Sequence, residues 1–141
     1  FSALEVSTFT AKGKGAMLFE DSLGVCRFNT RTDIPHLVRA VNAATGWDMD
    51  IGEAIGAGRR AANLFRAFNI RHGVRPELDA PSKRYGSAPL DGPAAGVSVQ
   101  PVWEKMHANY YEVMGWDEKG VPKRETLEAL GIGPVADDLG V

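Results

Sequence analysis

Apolar residues recur at helical spacing in three stretches of this chain. Between Asp33 and Thr45 the stripe is Leu37, Val38 and Val41, with Thr32 or Asp33 as N-cap, Pro35 in the first turn and Gly46 at the stop. The clearest helix is predicted from Asp50, which makes a capping box with Glu53, to about Arg71, ahead of Gly73. Its apolar positions are Ile51, Ala54, Ile55, Ala61, Ala62, Phe65 and Phe68. Gly52, Gly56 and Gly58 each weaken a helix by about 1 kcal/mol relative to alanine, which points to close approach by another backbone. The third stretch, from about Val99 to Met114, carries Val102, Trp103, Met106, Tyr110, Val113 and Met114 on one broad face, and Gly115 ends it. Trp116 is expected to pack back onto that face.

The segments between and around these helices are less regular. Pro76, Pro81, Pro89 and Pro93 are spaced too tightly for a helix or a central strand, so residues 73–97 are predicted to form one long irregular loop, with Tyr85 and the Arg84 stem anchoring it. A short helix is predicted after Pro122, with Leu127 and Leu130 turned inward and Gly131 at its end. The tail beyond it is expected to be weakly structured. In residues 1–20, Gly13 and Gly15 are expected to break any long helix, leaving a short one over Ala16–Glu20. No strand-like alternation or internal repeat is present. The fold class is therefore all-α, with several packed helices and one long Pro/Gly-rich loop, and residues 1–141 form a single helical domain.

Composition narrows the function classes. Apolar residues make up 44% of the 141, enough for a packed core. No apolar run is long enough for a membrane span, and residues 1–30 lack the basic flank and small-residue cleavage pattern of a secretory signal, so the expected location is cytoplasmic. The net charge of −2 offers no attraction for a nucleic-acid backbone. Charge is uneven: residues 1–75 carry ten Lys/Arg and seven Asp/Glu, residues 76–141 six and eleven. Such asymmetry orients docking or simply reflects solvated helix faces.

The candidate chemistry is concentrated in Asp21-Ser22-Leu23-Gly24-Val25-Cys26, which sets a carboxylate, a flexible glycine and the only thiol within one short turn. Gly24 permits a left-handed turn or close backbone approach to a ligand, and a Cys26 thiolate is a soft donor suited to an iron–sulfur cluster. Alone, the pattern is weak. A lone cysteine usually packs as a small buried hydrophobe, and Asp21 reads equally as a cap. A four-iron cluster also needs more thiolates than one. His36, His72 and His107 have no paired-ligand spacing and read as surface or helix-end residues. Arg59, Arg60, Arg66, Arg71 and Arg75 read as a solvated or domain-packing face, and Trp47, Trp103 and Trp116 as fillers of a core or interdomain seam.

Taken with three later segments, the turn resembles the tungsten-containing aldehyde ferredoxin oxidoreductase family. That family has an Asp-x-x-Gly-Leu-Cys turn in its C-terminal part, whose aspartate and backbone contact a tungstopterin and whose cysteine is the last ligand of an adjacent four-iron cluster. By resemblance, Asp21, Gly24 and Val25 belong to the pterin turn and Cys26 to the cluster, with Val25 departing from the usual leucine. Thr45-Gly46-Trp47-Asp48 with Glu53 and Asn63-Leu64-x-Arg66-x-Phe68-Asn69 resemble the helix that follows a Thr-Gly-Trp turn, although Arg59 stands where a glutamate is common. Asp79-x-Pro81-x-x-Arg84-Tyr85 resembles the proline-bearing loop, and Tyr110-Tyr111-x-x-x-Gly115-Trp116-Asp117-x-x-Gly120-x-Pro122 the closing helix and turn.

The resemblance implies the C-terminal domain of a larger enzyme that oxidises aldehydes to carboxylic acids and passes electrons to ferredoxin. The tungstopterin, with tungsten or molybdenum, and the 4Fe-4S cluster belong to the complete enzyme. The Cys-x-x-Cys-x-x-x-Cys segment that supplies the family's other three cluster ligands does not occur in this chain. The piece alone is thus expected to bind no cofactor and have no activity, its first partner being the N-terminal domains of the same chain. A homodimer remains open. Two other readings stand beside this one: a metal-free helical interaction module, and a relative that performs reductive chemistry on an aromatic thioester.

Overall fold

The first helix contradicts the expectation of an early break. In the computed structural model, which describes residues 2–141, α1 runs unbroken over Ala3–Ser22, started by a capping box between Ser2 and Glu5. Gly13 and Gly15 lie inside it. The compensation is tertiary: α1 crosses α4 (Ile51–Arg71) with the two backbones in contact, and a Cβ added to Gly58 would overlap the Gly15 carbonyl oxygen. One added to Gly15 would sit 2.7 Å from the carbonyl oxygen of Ile55. Besides Glu20, the buried positions of α1 are Ser7, Ala11, Gly15 and Phe19, one per turn, on the side that meets Ala54, Gly58 and Ala62 of α4. A stripe so poor in large apolar residues gives no amphipathic signal, because Val6 and Phe9 point outward while Ala and Gly make the contact.

The glycine reading of α4 therefore holds for Gly58, whereas Gly56 has open space around it and Gly52 sits only against the capping Asp50. The expected stripe of α4 needs correction too. Ile51, Phe65 and Phe68 are exposed, and the buried face consists of Ala54, Gly58, Ala62, Asn63, Arg66 and Ala67. The caps are as anticipated: Asp50 accepts from the Glu53 backbone N–H at 2.7 Å and Glu53 returns the bond at 2.8 Å.

After α1, a single turn, α2 (Arg27–Thr30), leads into α3 (Ile34–Thr45), which is capped by Asp33 and closed by Gly46 at φ 75°. Ile34, Leu37 and Val38 of α3 join Phe19 and Ala54 in one core cluster. The Pro/Gly-rich stretch is mostly irregular but holds a 3₁₀ turn at Pro76–Asp79 and a single turn, α5 (Lys83–Gly86). Tyr85 does not anchor it, being 78% exposed with only Arg84 over its ring. The tether is Asp79, described below, helped by Ser98, whose hydroxyl donates to the Gly86 carbonyl at 2.7 Å.

A 3₁₀ turn at Gln100–Val102 precedes α6 (Trp103–Met114), closed by Gly115. Tyr111 and Met114 meet Ala11, Ala62 and Trp116 in a second core cluster, so Trp116 does pack back as expected. A bridge between Trp116 and Pro122 leads to α7 (Arg124–Ala129), with Leu127 fully buried. The tail departs from the weakly structured expectation: α8 (Pro134–Leu139) buries Ala136 completely, and Asp137 pairs with Arg124 at 2.7 Å. The eight α-helices and the absence of any strand among the described residues establish an all-α fold.

Candidate functional site

The turn singled out in the sequence lies at the C-terminal end of α1. Leu23 closes the helix by donating to the Glu20 carbonyl at 3.1 Å, and Gly24 donates to the Asp21 carbonyl at 3.1 Å with φ 68°. A Cβ on Gly24 would touch nothing, so glycine is required here by backbone conformation and not by crowding. The chain then extends through Val25 to Cys26, which begins α2. Asp21, Gly24, Val25 and Cys26 all lie on the exposed surface, on one continuous edge. Cys26 is an exposed free thiol, contrary to the buried packing usual for a lone cysteine. Asp21 is not free: its Oδ1 accepts from the Arg27 guanidinium at 2.7 Å.

Behind this edge sits a residue that the sequence reading missed. Glu20 has 0% exposure, and its carboxylate accepts from Arg27 Nε at 3.0 Å, from the Thr32 N–H and hydroxyl at 3.1 Å each, and from the Thr30 hydroxyl. Burial alone would raise its pKa, but the bonds from Thr30, Arg27 and Thr32 outweigh burial and hold the carboxyl below the usual range. Glu20 thus ties the end of α1 to residues 27–32. The tie spans backbone that resists it, since Arg31 and Thr32 adopt φ 53° and 57°, a region side chains rarely enter. A glutamate near a helix end next to Asp21 reads as solvated, and nothing in the spacing to Thr30 and Thr32 reveals the clasp.

A second polar centre lies inside the helices. Arg66 is only 7% exposed and bonded inside the domain, which corrects its placement on a solvated or domain-packing face. Its guanidinium donates to the Gly120 carbonyl at 2.8 Å and the Tyr111 hydroxyl at 3.0 Å, pairs with Asp79 at 2.8 Å, and lies 4.9 Å over the Trp116 ring. The Tyr111 hydroxyl donates to Asp79, and the Trp116 indole donates to Asn63 at 2.8 Å. Burial, reinforced by the bond to Asp79, pushes the Tyr111 hydroxyl up to about 12. His36 and His72 are exposed as expected, but His107 is half-buried in mid-helix, between the Trp103 and Tyr111 rings at centroid distances of 5.2 and 4.2 Å. Trp47, by contrast, is 62% exposed and fills no core within this chain.

The model of the family described as aldehyde ferredoxin oxidoreductase, domains 2 and 3, matches residues 6–132. The chain belongs to the aldehyde ferredoxin oxidoreductase family. It is 36% identical over 118 residues to a tungsten-containing aldehyde ferredoxin oxidoreductase of Pyrococcus furiosus, covering 79% of this chain and 19% of that relative. The corresponding protein of Thermococcus kodakarensis is 35% identical over 115 residues, covering 79% and 19%. An aliphatic sulfonate oxidoreductase, WOR-like subunit, of Pyrococcus furiosus is 32% identical over 142 residues, covering 94% of this chain and 22% of that relative. Among solved structures, the active-site complex BamBC of benzoyl coenzyme A reductase with 1,5-dienoyl-CoA aligns with a TM-score of 0.75 at 25% identity, covering 98% of this chain and 21% of that one. The chain thus spans about a fifth of the length of these relatives.

Membership in the aldehyde ferredoxin oxidoreductase family gives the Arg66 centre a further meaning. Asn63 and Arg66, Asp79, and Tyr111, Trp116 and Gly120 belong to three separate segments that resemble the family in sequence, and here they meet around one guanidinium. The matching segments are coupled by the fold. Among the described residues, no three His, Cys, Asp or Glu side chains come together as a metal-binding group. Cys26 is thus not part of a three-ligand group among the described residues.

Proposed function

We propose that residues 1–141 form one helical domain, the C-terminal part of a tungsten-dependent oxidoreductase that converts aldehydes to carboxylic acids with ferredoxin as electron acceptor. The observation that carries this reading is the exposed edge from Asp21 to Cys26, clasped from behind by Glu20 and directed out of the domain. The residues fit the groups they are assigned. Cys26 offers an accessible sulfur, Gly24 leaves its outer side open for close approach, and the Asp21 ion pair with Arg27 engages Oδ1. In the complete enzyme Asp21, Gly24 and Val25 would contact the tungstopterin, and Cys26 would be the fourth thiolate of a 4Fe-4S cluster whose other ligands come from the N-terminal domains of the same polypeptide. The bound groups supply two-electron chemistry at the metal and an exit path for electrons. This chain holds the turn: Glu20 fixes where α2 starts, and Arg27 orients Asp21.

No described helix is long and apolar enough to cross a membrane, and a cytoplasmic enzyme is part of the proposal. In the complete enzyme, Cys26→Ala should lower the iron content per protomer and slow electron delivery to ferredoxin while pterin stays partly bound. Unchanged iron would overturn the ligand assignment. Reductive chemistry on an aromatic thioester is a second reading, supported by the alignment of nearly the whole chain with the benzoyl coenzyme A reductase complex. The higher identity to the tungsten-containing aldehyde oxidoreductases supports the oxidative reading. Comparing turnover of an aldehyde and of an aromatic acyl thioester by the complete enzyme separates the two.

A further inference from the structure

Arg27 joins two carboxylates of opposite character at the end of α1. Its Nε donates to the buried Glu20 at 3.0 Å, and its Nη2 donates to the exposed Asp21 at 2.7 Å and to the Met17 carbonyl at 3.1 Å. The pair with Asp21 closes residues 21–27 into a ring, so Asp21 and Cys26 belong to one closed loop. A lysine could not replace this fork, because a single point charge cannot present two fixed N–H directions to two carboxylates.

Glu20 carries the connection to the other end of the same loop. Its carboxylate is shared among Arg27, the Thr30 hydroxyl, and the N–H and hydroxyl of Thr32. Thr30 in turn donates its backbone N–H to the Cys26 carbonyl at 3.0 Å, beside the Asn29 N–H at 2.9 Å. An unbroken run of bonds therefore leads from the Asp21 carboxylate through Arg27, Glu20 and Thr30 to the Cys26 backbone. The bonds on the two carboxylates are charge-assisted and the Glu20 carboxylate is desolvated, conditions under which the members of a network act together.

We propose that Arg27 and Thr30 are positioning residues that couple the two cofactor sides of the turn, so that loosening either one releases both the tungstopterin at Asp21 and the cluster at Cys26. This rests on the assignment of the edge made above. In that assignment Arg27 acts through Asp21 and Glu20, and Thr30 through Glu20 and the Cys26 carbonyl. A shift of α2 that displaced the sulfur would also pull on the Asp21 carboxylate, which keeps the two groups in register. Residues that hold metal ligands from behind matter about 10–100-fold for metal retention.

A chelator challenge of the complete protein tests the coupling. Iron released to a ferrous chelator and tungsten left on the protein are followed together, and electron paramagnetic resonance titration gives the midpoint potential of the cluster. Arg27→Lys and Thr30→Val should each speed the loss of both metals about tenfold and shift the potential, whereas Thr30→Ser, which keeps the hydroxyl, should match the parent. Combined, Arg27→Lys and Thr30→Val should fall short of the product of their separate effects, as groups in one network do. Tyr111→Phe, which removes buried bonds around Arg66, should leave both rates and the potential unchanged, so general destabilisation is not mistaken for coupling. No change in either metal, loss of tungsten alone in Arg27→Lys, loss of iron alone in Thr30→Val, full multiplicativity, or an equal effect of Tyr111→Phe overturns the proposal. Unchanged iron in Cys26→Ala overturns the edge assignment itself, which keeps the two failures apart.

Discussion

At Glu20, one buried carboxylate does work that the exposed turn beside it cannot do for itself. Hydrogen bonds to a charged group contribute about 1.5–3 kcal/mol each, and those on Glu20 hold two residues at positive φ. Glu20→Gln keeps the size but loses the charge, and should lower unfolding stability in urea by about 2–3 kcal/mol. The pH dependence has a definite sign. Because the folded-state pKa of Glu20 is depressed, its contribution is complete above the unfolded carboxyl range and is lost as pH falls through the lower folded value. The variant should therefore show a flatter acid limb than the parent. Tyr111 has the opposite sense: its hydroxyl is raised to about 12, so its contribution is full below the usual tyrosine range and fades as pH climbs toward that value. Ultraviolet difference absorbance during alkaline titration should show Tyr111→Phe removing the last-ionising tyrosine. The same substitution should cost about 1–3 kcal/mol, because Asp79 and Arg66 lose a buried partner.

Among the helices, α1 and α4 depend on contact between backbones, which makes their glycines unequal. Gly58→Ala puts a methyl group into the Gly15 carbonyl and should destabilise by about 3 kcal/mol, the upper end for overpacking. Gly56→Ala, two residues away with open space around it, should instead stabilise by up to about 1 kcal/mol through helix propensity. Thermal melts of the pair decide the matter, and equal effects would mean that the helices do not cross here. The long loop depends chiefly on one residue. Asp79 joins it to both α4 and α6 through Arg66 and Tyr111, whereas the aromatic residue expected to anchor it, Tyr85, faces solvent.

For the molecule as a whole, the single thiol and the absence of any three-ligand group among the described residues lead to one more expectation. Reconstitution of the 141-residue chain with iron and sulfide should yield no four-iron cluster by absorbance or electron paramagnetic resonance; assembly of one would end the view that Cys26 shares its cluster with other domains. Much of the molecule was legible along the chain. The caps Asp33, Asp50 and Gly115, the α3 stripe and the turn at Asp21–Cys26 were readable because capping, helical periodicity and glycine chemistry act over a few residues. Arg66, Glu20, His107 and the continuity of α1 through Gly15 were not. Arg66 depends on Asp79, Tyr111 and Gly120, and Gly15 on Gly58, all distant in the chain, whereas Glu20 and His107 meet nearer partners that only the folded turn and helix bring round, and a buried charge or a glycine looks locally like a solvated charge or a helix break. Local free energies write the elements into the sequence, while desolvation and close packing act only once distant segments meet, and so the packed helices alone determined which polar residues went inside.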